Sequence, residues 1–468
     1  MSIDERPATD LGSIAGTVTA VRHAFQSGRT RPVEWRQRQL DALLRLLDES
    51  GDDLVAAMQR DFGKPTMEAY STDIAFTATE VKHLRKHVAA WMQPRKAKLR
   101  LQDMPGKGKV VPEPLGVALV ISPWNYPVQL LVSPIAAAFA AGNAVVAKPS
   151  ELVPETSALL SRLLREHLDP DAFAVFEGGP EVSTALLEQR WDHIFFTGST
   201  AVGKIVAKAA AEHLTPTVLE LGGKSPAIVA PGADIGVTAH RMAWGKFLNG
   251  GQTCIAPDYV LVDSQRKDEL VDTLVQVIEE FYGPDPAASP DLTQIVNERH
   301  VQRLEGLLAD HGGTVVCGGS VDASTRKLPP TIIVDPDPDS ALMREEIFGP
   351  VLPVLAVDDL EEAIAFVNGR PKPLALYVFS EDSADARTVV DRTSSGGVCV
   401  NHTLFHITPH DLPFGGVGDA GQGRYHGKAG FDAFSNMKPV LTKPTRPDLS
   451  LIYPPYTKLK AKIIAKLL

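Results

Sequence analysis

From about residue 117 onward, short apolar runs alternate with helix-like stretches, and this rhythm is the strongest constraint on the fold. Apolar runs occupy Val117–Ile121 and residues 143–147, 173–176 and 194–196, separated by small-residue or amphipathic stretches. Short, continuously apolar runs are typical of strands buried on both faces, and such strands alternate with helices in parallel sheets. We therefore predict a βαβαβ unit in this part of the chain.

A second α/β unit is predicted after Gly222 and Gly223, two adjacent glycines that interrupt the pattern. The same alternation favours strands covered by helices in this unit. Its helices are predicted at residues 237–248 and 267–281, and its strands at 259–262, 351–357, 375–379 and 398–400.

Two segments fit neither unit. Residues 94–114 alternate in polarity around Pro105 and Gly106, which predicts an exposed hairpin. Residues 414–430 are rich in glycine. Because an exposed strand edge usually needs a partner, an arm built from these segments would suit a homodimer.

Charge and hydropathy exclude several classes of function. With 47 Lys and Arg against 57 Asp and Glu, the formal net charge of the 468 residues is −10, and no basic run suits nucleic-acid binding. Residues 1–10 are polar and acidic, unlike a secretion signal. The most apolar stretch, residues 128–147, is broken by polar residues and glycine, so no transmembrane segment is predicted. We expect a cytoplasmic protein.

The three cysteines have different surroundings. None forms a C-x-x-C pair, so neither a disulfide framework nor a cysteine-based metal site is predicted. Cys254 follows a double glycine in GGQTCIAP, where free backbone amides would favour a reactive thiolate over a packed thiol. Cys317 and Cys399 lie in apolar, strand-like runs and are expected to be small buried hydrophobes.

Two further residues have side chains suited to acid–base or oxyanion chemistry. Glu220 lies between apolar neighbours just before Gly222, so burial would raise its pKa toward that of a useful base. A helix-capping or ion-paired carboxylate is the alternative. Asn125 is held between Pro123 and Pro127, which suits an amide donor to a developing oxyanion. A rigid turn would explain the same residues.

A strand-to-helix junction at residues 195–204 offers an anion site. Its sequence FFTGSTAVGK is not a G-x-G-x-x-G fingerprint, and it lacks the Ser or Thr that a P-loop needs after its lysine. The first turn of a helix still presents unpaired N–H groups, so a pyrophosphate could bind there. Lys148 and Glu151, in the loop after a neighbouring strand, would be placed to hold ribose hydroxyls.

Together these stretches resemble the NAD(P)-dependent aldehyde dehydrogenases, in particular their class 3 and fatty-aldehyde branch. The similar motifs run in family order over most of the chain: SPWNYPV, KPSE, FFTGSTAVGK, HLTPTVLELGGKSP, GQTCIAPDY, EEIFGPVLPV, PFGGVGDAGQGRYHGKAGFDAFS and YPPY. The resemblance implies an α/β fold with a Rossmann-type cofactor domain, a second α/β catalytic domain and a small β oligomerisation arm.

The resemblance also implies domain limits. Residues 1–93 and 115–221 would form the dinucleotide-binding domain, and 222–412 the catalytic domain. Residues 94–114 and 413–445 would form the bridging and oligomerisation segments of a homodimer, followed by a C-terminal tail at 446–468.

Roles are implied for individual residues. Cys254 matches the nucleophile, Glu220 the general base that activates water, and Asn125 the oxyanion donor, which would act with the Cys254 amide. No metal is implied. The implied cofactor residues are Lys148, Glu151, Gly198, Ser199 and Val202 around the adenosine and pyrophosphate, with Glu346 and Phe348 at the nicotinamide ribose and ring.

The implied activity is oxidation of an aldehyde to a carboxylic acid with NAD, and with NADP as a second cofactor. A Cys254 thiohemiacetal would lose hydride, and Glu220 would assist hydrolysis of the resulting thioester. We expect a medium- or long-chain aliphatic or an aromatic aldehyde. The alternatives are a semialdehyde dehydrogenase, a CoA-acylating enzyme, a nicotinamide-independent cysteine hydrolase and a non-catalytic descendant. A CoA-acylating enzyme would have no use for the water-activating carboxylate of Glu220.

Two features depart from the branch pattern. His402 stands where the branch usually has an acidic residue, and Leu404, Phe405 and His406 occupy a loop that often contacts substrate. The tail 457–468 has an amphipathic helical pattern of apolar residues and lysines. We favour packing of this helix on the protein or a dimer partner over weak attachment to an anionic membrane.

Overall fold

The computed structural model of the protein describes residues 9–448 and 450–467. Its strands form three sheets of six, seven and three strands. Residues 1–8, which belong to the polar and acidic N-terminal stretch, lie outside the described residues. The strands are β1 (Arg95–Ala97), β2 (Lys107–Pro114), β3 (Val117–Ile121), β4 (Ala144–Lys148), β5 (Phe173–Val175), β6 (His193–Thr197), β7 (Thr217–Glu220), β8 (Pro226–Val229), β9 (Tyr259–Asp263), β10 (Thr314–Cys317), β11 (Thr331–Val334), β12 (Val351–Val357), β13 (Ala375–Phe379), β14 (Gly397–Val400), β15 (Gly421–Gln422) and β16 (Ser435–Thr442).

Helices cover the two larger sheets and form an N-terminal layer that the sequence patterns did not assign. The helices are α1 (Leu11–Gln26), α2 (Val33–Phe62), α3 (Thr66–Glu68), α4 (Phe76–Trp91), α5 (Gln129–Ala141), α6 (Pro154–His167), α7 (Pro180–Leu187), α8 (Thr200–Ala211), α9 (Ile235–Phe247), α10 (Lys267–Tyr282), α11 (Glu298–Ala309), α12 (Ala341–Arg344), α13 (Leu360–Asn368), α14 (Ser383–Arg392), α15 (Gly427–Ala433) and α16 (Lys458–Leu467). A π-helical segment, Ala69–Ala75, joins α3 to α4.

The six-stranded sheet has the order β15-β7-β6-β3-β4-β5. Strand β3 lies at its centre and pairs in parallel with β4 and β6, and every residue of these three strands is buried. This confirms the predicted βαβαβ unit, because strands with helices on both faces must be apolar throughout. The antiparallel edge strand β15 is contributed by the glycine-rich segment, where Gly421 pairs with Glu220.

The seven-stranded sheet has the order β10-β11-β12-β9-β8-β13-β14 and is parallel except for β10. The expectation that Cys317 and Cys399 are buried is wrong, since both are only half-buried. The physical reason is their location in β10 and β14, the two edge strands of this sheet, where one side of the strand is open. An apolar run alone does not distinguish a central strand from an edge strand.

The three-stranded sheet stands apart from the two larger ones. Strands β1 and β2 form the predicted hairpin, with Arg95 opposite Val110, and β16 pairs along the whole of β2. The polarity of this sheet is that of a surface element, because most residues of its strands are exposed or half-buried. The assignment of residues to domains stays a prediction.

The C-terminal tail contains the predicted helix, α16. Two of its apolar residues are exposed, Leu459 at 69% and Ile463 at 36%, whereas Ile464 is half-buried. The predicted packing of this helix on the protein's own body or on a dimer partner stays a prediction, and Leu468 lies outside the described residues. Within residues 9–448 and 450–467, no helix is long and apolar enough to cross a membrane.

Candidate active site

Cys254 lies in a loop whose backbone requires glycine. Helix α9 ends at Phe247, and Gly250 and Gly251 then adopt left-handed conformations with φ of 62° and 73°. A Cβ atom on Gly251 would lie 2.3 Å from the carbonyl oxygen of Gly349. The absent side chain therefore lets the loop before Cys254 pack directly against the loop that follows Glu346.

Cys254 and Glu220 share one cavity of about 220 Å³. Glu220 ends β7 of the six-stranded sheet, whereas Cys254 precedes β9 of the seven-stranded sheet. The cavity thus lies between the two α/β units and brings the predicted nucleophile and base together. Its apolar lining includes Phe76, Leu130, Trp244, Leu248, Phe405 and Phe414.

Glu220 is 3% exposed, and neither of its carboxylate oxygens has a hydrogen-bond partner among the described residues. Burial raises its pKa well above the usual value, and the positive charge of Arg424 only partly opposes this. The predicted direction is confirmed. The alternative of a capping or ion-paired carboxylate is wrong, because Glu220 ends a strand and its carboxylate oxygens have no partner within the described chain.

The pKa of the half-buried Cys254 thiol moves in the opposite direction to the one expected. Burial raises the pKa of the thiol to about 12, and the negative charges of Glu346 and Glu220 raise it further. The backbone amides of Cys254 and Ile255 do lower the pKa, as the glycine-rich loop predicted, but their effect is smaller. Desolvation of the charged form therefore outweighs the local amide donors.

Asn125 is buried beside the Cys254 loop. Its Nδ2 donates to the carbonyl oxygen of Gln252 at 2.9 Å. The backbone carbonyl oxygen of Asn125 accepts hydrogen bonds from Asn249 Nδ2 at 3.0 Å and from Lys64 Nζ at 3.4 Å. An amide nitrogen carries two protons, so Asn125 can donate the second to a ligand while the first fixes its orientation.

Lys148 and Glu151 lie at the end of β4, as predicted. Lys148 Nζ donates to Glu151 Oε2 at 3.0 Å, and Lys148 is buried whereas Glu151 is exposed. Glu151 lines a second cavity, of about 860 Å³, together with Pro149 and Ser150. The pair can hold a ribose through one acceptor and one donor group.

The junction before α8 forms the predicted helix N-terminus. Ser199 is the N-cap, and its side-chain oxygen accepts a hydrogen bond from the Val202 amide at 3.4 Å. Gly198 donates its amide proton to the carbonyl oxygen of Glu220, which ties this turn to the end of β7. Val202 is exposed, so the first turn of α8 is open to a ligand.

Glu346 lies where the two glycines after β7 leave room for it. A Cβ atom on Gly222 would lie 1.9 Å from Glu346 Oε2. Burial raises the pKa of Glu346 to about 8, and the nearby Asp258 carboxylate contributes to the rise. Glu346 Oε1 is buried and has no hydrogen-bond partner among the described residues.

Phe348 adopts a left-handed conformation with φ of 46° and contacts the Trp124 ring edge-on at 5.4 Å. A buried ion pair that was not predicted from the sequence supports this loop. Asp258 accepts hydrogen bonds from the Ile347 amide at 3.1 Å and from Lys224 Nζ at 2.5 Å. No local pattern marks such a pair, because its partners come from distant parts of the chain.

A second group of missed residues lies on the π-helical segment and its neighbours. Lys64 and Asp73 form a fully buried ion pair, and Glu68 accepts a hydrogen bond from the Asn249 amide at 2.9 Å. Burial raises the pKa of Glu68 to about 7. For metal ligation, the described residues contain no group of three or more His, Cys, Asp or Glu side chains that could hold an ion.

The profile of the aldehyde dehydrogenase family matches residues 3–440. The chain is 46% identical over 445 residues to aldehyde dehydrogenase family 3 member A2 of Mus musculus, covering 95% of this chain and 92% of that protein. It is 44% identical over 447 residues to a dimeric, NADP-preferring aldehyde dehydrogenase of Canis lupus familiaris, covering 95% and 98%. The substrate-bound structure of Staphylococcus aureus AldH superposes with a TM-score of 0.94 at 42% identity, covering 97% of this chain and 99% of that one.

Proposed function

The chain belongs to the aldehyde dehydrogenase family, and from this premise we propose that the Cys254 cavity oxidises apolar aldehydes to carboxylic acids. The family assignment confirms the predicted fold and the predicted enzyme class, an NAD(P)-dependent oxidoreductase. The residue roles and the substrate class that follow are our proposals. The observation that carries them is that Cys254 and Glu220, from two different sheets, line the same cavity.

In the first half of the reaction, Cys254 Sγ attacks the aldehyde carbon and the carbonyl oxygen takes up negative charge. The second amide proton of Asn125 and the backbone N–H of Cys254 would donate to this oxygen. Nicotinamide, when bound, supplies the hydride acceptor. The half-buried thiol must lose its proton to solvent water before attack, and in this state burial holds its pKa at about 12. A positive charge brought close to Sγ would lower that pKa.

In the second half, a thioester on Cys254 is hydrolysed. Glu220 lies in the same cavity with both carboxylate oxygens free of partners within the described chain, so it can accept a proton from an attacking water. Its raised pKa makes it a stronger base than an exposed carboxylate. The products are the carboxylic acid and the regenerated thiol.

The residues present fit a dinucleotide. The open N-terminus of α8 at Ser199 suits the pyrophosphate, and the Lys148–Glu151 pair suits the adenosine ribose. Glu346, with its unpartnered Oε1, suits the hydroxyls of the second ribose. The Glu151 carboxylate would repel a 2′-phosphate, and the positive charge of Lys148 would partly offset that repulsion. Both NAD and NADP are therefore expected to bind.

The cavity lining favours an apolar aliphatic or aromatic aldehyde. Within the described lining, Glu220 is the only charged side chain, and Trp244 and Phe405 are among its apolar walls. A semialdehyde substrate carries a carboxylate that would find no cation there. No histidine lines the cavity beside Cys254 in the described residues, which disfavours a cysteine hydrolase.

A homodimer built through the small sheet is also proposed. Strand β16 is an open edge of the three-stranded sheet, and β14 is an open edge of the seven-stranded sheet with Val400 exposed. Open edges present unpaired backbone groups that a second copy can satisfy. The name of the canine relative, which calls that protein dimeric, supports this proposal. The cytoplasmic location stays a prediction.

A panel of aldehydes tests the proposed function. NADH and NADPH formation would be followed with hexanal, benzaldehyde and succinic semialdehyde, each with and without coenzyme A. We expect hexanal or benzaldehyde to have the highest kcat/KM, no dependence on coenzyme A, and loss of at least 10³ of the rate in Cys254→Ala. The proposal would be refuted by a preference for the semialdehyde, by a requirement for coenzyme A, or by a Cys254→Ala variant that keeps a tenth of the rate.

A further inference from the structure

Lys64 and Asp73 form an ion pair that solvent does not reach. Lys64 Nζ lies 2.8 Å from Asp73 Oδ2, and both side chains have 0% exposure. Lys64 follows α2, whereas Asp73 lies in the π-helical segment Ala69–Ala75. Burying two charges is costly, and a pair of apolar residues in the same space is often at least as stable. The pair therefore needs further contacts that compensate for its burial.

The other contacts of the pair are with the segment that carries Asn125. Lys64 Nζ lies 3.4 Å from the carbonyl oxygen of Asn125 and 4.0 Å from the centre of the Tyr126 ring. Asp73 Oδ1 accepts the amide protons of Val128 at 3.0 Å and Gln129 at 3.2 Å. The cation thus holds the start of this segment, and the carboxylate holds the start of α5 that follows it.

Glu68, the last residue of α3 and the residue just before the π-helical segment, also holds the loop before Cys254. Glu68 Oε2 accepts the Asn249 amide at 2.9 Å, and Asn249 Nδ2 donates to both Asn125 O at 3.0 Å and Gln252 O at 3.2 Å. Gln252 O is in turn the acceptor for Asn125 Nδ2. Contacts from residues 64–73 therefore hold both the segment that carries Asn125 and the loop before Cys254, which the Asn125 amide contacts.

We propose that Lys64 and Asp73 are positioning residues that hold the Asn125 segment in the geometry needed for oxyanion stabilisation. The inference rests on the proposed role of Asn125 and extends it to two residues that do not line the cavity. Neither residue touches the substrate in this scheme. They act through the peptide of Asn125, since a small misplacement of a donor is enough to slow attack on a carbonyl group greatly.

The test is a double-mutant cycle on the first half-reaction. The rate of the NADH burst with hexanal and saturating NAD would be measured in the wild type, Lys64→Met, Asn125→Ala and the combined variant. We expect Lys64→Met alone to slow the burst by about 10- to 100-fold, less than the roughly 10²- to 10³-fold typical of losing an oxyanion donor outright, because the donor is misplaced and not removed. In the Asn125→Ala background, the same substitution should change the burst by less than about threefold.

A simple loss of stability would give a different result. Arg22→Met is the matched control, because Arg22 Nη1 lies 2.5 Å from Asp192 Oδ2, which also accepts a backbone proton from Val117. This control should lower the melting temperature without slowing the burst. The charge-neutral variant Lys64→Met/Asp73→Asn leaves no uncompensated charge and keeps an acceptor for the Val128 amide, so it should fold and show the same slow burst.

The possible failures are distinguishable. Equal losses in the wild-type and Asn125→Ala backgrounds, or an unchanged burst in Lys64→Met, would overturn the inference while leaving the proposed function intact. An Asn125→Ala variant with a normal burst would instead overturn the proposed role of Asn125. Failure of both Lys64→Met and the charge-neutral variant to give folded protein would also refute the inference, because the pair would then serve the fold itself.

Discussion

Replacing Glu220 with Gln separates the two halves of the proposed reaction. The substitution keeps the size of the side chain and removes its capacity to accept a proton from water. Because neither carboxylate oxygen of Glu220 has a hydrogen-bond partner within the described chain, the exchange breaks no side-chain hydrogen bond. We therefore expect Glu220→Gln to fold normally and to fail in thioester hydrolysis.

The magnitude follows from the role of the carboxylate. Loss of a general base typically costs about 10² to 10⁴ in rate, or roughly 2.7–5.5 kcal/mol of barrier. Stopped-flow detection of NADH should show a burst close to one equivalent per active site, at a rate within about threefold of the wild type. A steady state slower by at least 10² should follow. Equal losses in the burst and the steady state would refute the assignment of Glu220 to hydrolysis.

The buried carboxyl also predicts a pH dependence. Its pKa is raised in the folded protein, so between the unfolded and folded pKa values the native state binds more protons than the unfolded state. Stability therefore falls as pH rises through this window. Glu220→Gln removes this loss, so its melting temperature should exceed that of the wild type at pH 8 and approach it near pH 4. In the wild type, the rate of hydrolysis should rise with pH over the same window.

The remaining predictions concern the loop, the cofactor and the cysteines. Gly251→Ala should reduce kcat by at least about tenfold, because its φ of 73° is unfavourable for alanine and a Cβ would lie 2.3 Å from Gly349 O. Thermal melting and steady-state kinetics would check this, and normal activity would contradict it. Glu151→Gln should raise the NADP-to-NAD ratio of kcat/KM by roughly three- to tenfold, since a 2′-phosphate no longer meets a carboxylate; an unchanged ratio would place the 2′-hydroxyl elsewhere. The variants Cys317→Ser and Cys399→Ser should keep nearly full activity, and their free energy of unfolding should fall by about 1 kcal/mol or less, because both residues are half-buried in edge strands. Denaturant unfolding and steady-state kinetics would test this.

Much of the fold followed from local pattern. The limits predicted for β3, β4 and β6 differ from the observed ones by at most one residue, because strands buried on both faces are continuously apolar. The pattern was weaker for the N-terminal layer and for the strand β11, to which no element was assigned. The edge positions of Cys317 and Cys399 also could not be predicted, because strand order depends on pairing between distant segments.

Some of the candidate catalytic residues could also be predicted from local sequence. The glycines before Cys254 and the apolar neighbours of Glu220 marked these two residues as reactive candidates, and the family motifs gave them roles. Local sequence did not decide between a base and an ion-paired carboxylate at Glu220. Only the tertiary structure placed it in a cavity with no partner for its oxygens in the described chain.

Sequence by itself determined the alternation of strands and helices, the glycines that the Cys254 loop requires, and the family to which they point. Tertiary structure decided the electrostatics. The Cys254 amides act locally and were predicted, whereas the larger effect, desolvation by residues from both sheets, raises the thiol pKa to about 12. The Lys64–Asp73 pair arises in the same way. Burial and charge pairing sum over residues far apart in the chain, so no local window of the sequence contains them.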